Sequence, residues 1–66
     1  MTKIMNAVVK NTPSDVKSGY VVARRDDYTA ELWYYGKYDT EKQAYDIALE
    51  LENGVVVEYD EQSTNN

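Results

Sequence analysis

Only one segment of this 66-residue chain carries a helical period, and the rest must fold around that single helix. Asp39 and Thr40 precede it, and Asn53-Gly54 follows it. With Thr40 as N-cap, Gln43 stands at the third helical position and completes a capping box. Glu41 sits in the first turn, where the helix dipole favours an acid. Gly54 can take the left-handed conformation that ends a helix. The spacing predicts a helix from about Glu41 to Glu52. At about 100° per residue, Ala44, Ile47, Ala48 and Leu51 form one apolar stripe. Lys42, Gln43, Asp46 and Glu50 form the opposite face, where Lys42 and Asp46 are spaced to pair. Tyr45 and Leu49 fall on the flank.

The other ordered runs read as strands. Lys3 to Lys10 is rich in β-branched residues. Asn11-Thr12-Pro13-Ser14-Asp15 is a turn cluster. Gly19 opens a second strand, Tyr20 to Arg25. Asp26 to Thr29 is a polar break of the hairpin kind, and Ala30 to Tyr38 forms a third strand. Val55 to Tyr59 is a fourth. The expected fold is α+β: a two-layer, antiparallel sheet of three to four strands with one helix on one face, in the order β-β-β-α-β. Residues 1–60 make one domain, and 61–66 a disordered tail.

A strand sends successive side chains to opposite faces. Along the third strand, Ala30, Leu32, Tyr34, Gly36 and Tyr38 share one face, and Glu31, Trp33, Tyr35 and Lys37 the other. Tyr38 leads directly into the helix cap, so its face should look toward the helix. Trp33 and Tyr35 should then point away from it, with no second helix to cover them.

Composition narrows the chemistry. The chain has no Cys and no His. That removes disulfides, thiolate metal sites and the usual general base near neutral pH. Gly19, Gly36 and Gly54 are too far apart to form a phosphate loop. No enzyme activity, cofactor or metal is expected. No apolar run approaches the roughly 20 residues of a membrane span, so the expectation is a cytoplasmic protein without membrane contact. A chain this short buries only about 60% of its unfolded surface, which leaves oligomerisation as the available staple. The net charge is −5, unevenly spread. Residues 1–25 hold five basic residues and one acid, whereas 26–66 hold two and eleven.

Gly36-x-Tyr38-Asp39-Thr40 followed by Ala44 and Ala48 resembles the strand-to-helix step of small three-strand-plus-helix modules. These include the plant ethylene-response-factor DNA-binding domain and the arm-binding domain of phage-type tyrosine recombinases. The resemblance covers roughly residues 19–52. It implies that the sheet face away from the helix meets DNA, with Trp33, Tyr35, Lys37 and Arg24 or Arg25 on that face. Glu31 on the same strand face and the acidic balance depart from that role.

The reading that follows is a small acidic interaction module, a regulator or inhibitor of phage or mobile-element origin. It binds a protein partner through an exposed aromatic sheet face or its acidic surface, and a homodimer is one form of that. The contact residues are Trp33, Tyr35, Arg24, Arg25 and Lys37, with Tyr45 and Leu49 as a second surface. Arg24-Arg25 beside Asp26-Asp27 reads as a phosphate- or acid-binding clamp or, more commonly for such a run, as a charged hairpin end, with Glu31 as a cross-strand partner of Arg24 or Arg25. The alternative is nucleic-acid binding through the outer sheet face.

Overall fold

A computed structural model describes residues 3–60. In chain order the elements are β1 (Lys3–Met5), β2 (Val9–Lys10), β3 (Gly19–Arg25), β4 (Leu32–Tyr38), α1 (Glu41–Glu50) and β5 (Gly54–Tyr59). The expected tail, 61–66, lies outside the described residues. No helix among the described residues is long and apolar enough to cross a membrane.

The class is α+β with one helix, but the sheet is neither purely antiparallel nor limited to four strands. Five strands stand in the order β1-β5-β3-β4-β2. β3 is central and antiparallel to both β4 and β5. β1 and β2 are edges, running parallel to β5 and β4. The expected single strand over 3–10 breaks at Asn6, which takes a left-handed φ of 52°. Asparagine tolerates that region better than most residues.

This break forces the sheet to curl. In a flat five-stranded sheet the edges would stand about 19 Å apart. The four steps from Met5 to Val9 span at most about 14 Å. The sheet therefore rolls until residues 6–8 can bridge its edges. The crossing is pinned by the Asn6 amide, which donates to the Glu58 carbonyl at 2.9 Å. The Tyr59 hydroxyl donates to the Ala7 carbonyl at 2.6 Å.

Both faces consequently have a core. Under α1, Val22, Val56, Ala44 and Ala48 are buried, surrounded by Tyr20, Tyr38, Tyr45, Ile47 and Leu51. The two alanines let the helix lie close to the sheet. On the opposite face, Val9, Val21, Ala23, Leu32 and Val57 pack with Ala7, Val16, Tyr34, Val55 and Tyr59. The N-terminal segment thus covers the face that has no helix. Strands buried on both sides lose their polar alternation. Val21-Val22-Ala23 and Val55-Val56-Val57 show that loss in the sequence itself.

A bulge in β4 overturns the expected sharing of faces. Val22 pairs with Gly36 and Ala23 with Tyr34, so Tyr35 is left without a partner. One extra residue reverses the alternation beyond it. Gly36 and Tyr38 face α1 as expected, but Leu32 and Tyr34 enter the opposite core. The Tyr38 ring lies over Gly36, where an added Cβ would come within 2.9 Å of the hydroxyl.

The capping box is formed. The Gln43 amide donates to Thr40 Oγ1 at 3.1 Å, and the Thr40 amide to Gln43 Oε1 at 3.3 Å. Lys42 and Asp46 pair at 2.9 Å. The helix stops at Glu50, two residues short of the expected Glu52. Asn53, not Gly54, supplies the left-handed residue, with φ 62°. Gly54 is required for a different reason: a Cβ there would be driven into the Ala48 carbonyl.

Candidate functional site

The ladders bring three side chains into one row. Lys10 on β2 stands opposite Trp33 on β4, and Trp33 opposite Arg24 on β3. Directly paired residues project from the same face. Arg24 continues the alternation of Tyr20 and Val22, so this face is the one that carries α1. Trp33 therefore does not point away from the helix side, because the bulge at Tyr35 has turned it over. α1 packs mainly on β5 and β3, which leaves the β4–β2 end of the face open. Trp33 is 45% exposed there. Lys10 Nζ lies 5.9 Å from the centre of the Trp33 ring, within cation–π range. Trp33, Arg24, Arg25 and Asp26 line a shallow concavity of about 250 Å³.

The acids near this row are already engaged. Asp26 Oδ1 accepts the Tyr28 amide at 2.8 Å and the Thr29 amide at 3.0 Å. Those two backbone donors hold its carboxyl below the ordinary aspartate value. Asp27 Oδ1 accepts from Asn53 Nδ2 at 2.6 Å. Glu31 pairs with Lys10 at 2.9 Å, and that ammonium holds its carboxyl low. The expected Arg–Glu31 pair therefore does not form. Among the described residues, neither Arg24 nor Arg25 has an ion pair. Lys17 and Lys37 are likewise outside any ion pair among the described residues, so what sets Arg24 and Arg25 apart is that they are adjacent and border the Trp33 concavity.

The Asp26 turn gives a pH prediction. Its folded pKa is depressed, so its contribution is fully present above the unfolded value, about 4. The contribution is lost as pH falls through the folded value. The resistance of wild type to urea should fall over that acid range. Asp26→Asn should be less stable than wild type at neutral pH, and the gap should narrow toward acid. An unchanged gap would contradict the assignment.

The remaining expected site residues do not join the row. Tyr35 is half-exposed at the bulge. Lys37 stands opposite Val21, on the other face from Trp33, and its stem lies against Gly19. Tyr45 is half-buried in the core under α1. Leu49 is 68% exposed on the helix and separate from the row. Lys10 is the member that sequence reasoning missed. Its place depends on β2 pairing with β4 across more than twenty residues, and no local signal reports that register.

No protein-family model matches the chain, and neither the curated proteins nor the solved structures contain a significant match.

Proposed function

We propose that this protein is a non-catalytic binding module that takes an acidic segment of a partner protein on the Lys10–Trp33–Arg24 row, with Arg25 beside it. The observation that carries this reading is the pair of unneutralised arginines next to a half-exposed tryptophan. Tryptophan and arginine are the side chains most enriched at the energetic centre of protein interfaces. A carboxylate offered to the planar guanidinium fork can be held through two parallel hydrogen bonds. The tryptophan face supplies apolar area at small entropic cost.

A second reading has its own support. A tryptophan flanked by cations on an open sheet suits an unpaired base stacked above it, with a phosphate beside it. The row offers only Lys10, Arg24 and Arg25, which weighs against it, because nucleic-acid affinity rests on releasing counterions through many cations.

Trp33 is the chain's only tryptophan, so its emission reports on this row alone. Polyglutamate at low salt should change the emission of the native protein, whereas oligothymidylate should leave it unchanged. Saturable quenching by oligothymidylate, with no response to polyglutamate, would favour the second reading and overturn the first.

A further inference from the structure

A separate surface lies along the outer edge of β4. β2 is only two residues long and pairs with Leu32 and Trp33 alone. From Tyr34 to Tyr38, the side of β4 turned away from β3 has no neighbouring strand among the described residues. Among the described residues, no backbone hydrogen bond joins this stretch to the loop between β2 and β3. An edge of this kind is a template for another strand.

Charge selects the occupant. Beyond the bulge, Gly36 to Tyr38 is the regular part of the edge. If two copies paired there antiparallel, centred on Lys37, Lys37 of one copy would stand opposite Lys37 of the other. Like charges directly opposite are destabilising. Lys37 has no ion pair among the described residues and is exposed. An incoming strand with a carboxylate opposite Lys37 gains what a second copy would lose. The neighbouring positions of that strand would lie beside Gly36 and Tyr38, where the Tyr38 ring covering Gly36 offers apolar surface to a β-branched side chain.

We infer, building on the protein-binding reading, that β4 accepts an extended segment of the partner as an added strand in the line of β2, with an acidic side chain opposite Lys37. Backbone hydrogen bonds would hold the segment and Lys37 would set its preference. The carboxylates bound at Arg24 and Arg25 would belong to the same partner.

The test uses the intact chain and the probe Ac-Thr-Val-Glu-Val-Thr-NH2, followed by amide NMR. Saturable shifts confined to Tyr34–Tyr38, with slowed amide exchange in that stretch, are expected at millimolar peptide. Replacing the central Glu of the probe by Lys should weaken binding several-fold. Lys37→Glu should invert that preference while leaving the fold intact. A probe N-methylated at alternate amides should not bind. Trp33→Ala should leave the edge shifts unchanged, which separates this inference from the Trp33 row. Shifts centred on Trp33 and Arg24, equal binding of the N-methylated probe, no shift at all, or self-association through Tyr34–Tyr38 would each overturn strand addition. A row that fails to bind acidic polymer would count against the protein-binding reading without moving these edge signals.

Discussion

Gly54→Ala is expected to cost about 3 kcal/mol or more in urea unfolding, at the upper end for overpacking. A 66-residue domain has only about 3–10 kcal/mol to lose. The atoms that a Cβ at position 54 would meet are the carbonyl and Cα of Ala48. They belong to the last turn of α1, where the same carbonyl accepts the Leu51 amide at 3.1 Å. Ala48 is 1% exposed, so the turn has no free space to move into. Gly54 is also paired with Arg24 in the ladder, so it cannot retreat without breaking β5 from β3. Gly36→Ala is the informative comparison. There the obstacle is the end of the Tyr38 ring, which can swing aside. Its cost should be about 1 kcal/mol. A Gly54→Ala cost no larger than that of Gly36→Ala would show that the helix end is not held against β5.

Arg24→Glu with Arg25→Glu should weaken partner binding by about 100-fold, a loss of about 3 kcal/mol shared between two central interface residues. Both side chains are exposed and unpaired, so the thermal midpoint should barely change. Trp33→Ala should also lose binding. Its ring is about half in solvent, so little core packing goes with it. A large loss of stability in these variants would mean that the row is part of the fold's support. Equal binding by variant and wild type would mean that the contact lies elsewhere.

Much of the fold is legible in the sequence where local chemistry decides it. Thr40 and Gln43 specify the helix start through a four-residue motif. The strand identities of Tyr20–Arg25 and Val55–Tyr59 follow from β-branched content. Three features are not legible, and each is long-range or subtle. Asn6 is a single asparagine inside the apolar run Ile4 to Val9, yet its left-handed backbone sends β1 and β2 to opposite edges. Tyr35 looks like any strand residue, yet as a bulge it exchanges the faces of Leu32, Trp33 and Tyr34. The alternation drawn through Ala30–Tyr38 fails because it assumes an unbroken period of two. The second core had a visible signal in the unalternated valines, which is the pattern of strands covered on both sides.

The candidate site was legible in composition and not in arrangement. Trp33, Arg24 and Arg25 stand out as residue types, but the face that Trp33 and Arg24 share depends on the bulge, and Arg25, paired with Leu32, borders their concavity from the next position. Lys37 separates from them for the same reason. That Arg24 and Arg25 form no ion pair follows only once the Asp26 and Asp27 carboxylates are seen to be held by turn amides and by Asn53.

The most direct test of the central claim is quantitative capture from nuclease-treated extract of the cells that make the protein. Wild type would be compared with the Arg24→Glu, Arg25→Glu, Trp33→Ala variant. One acidic protein retained in stoichiometric amount by wild type, surviving nuclease, and lost from the variant is the predicted result. Equal retention by both, or loss of the wild-type complex on nuclease treatment, would contradict it.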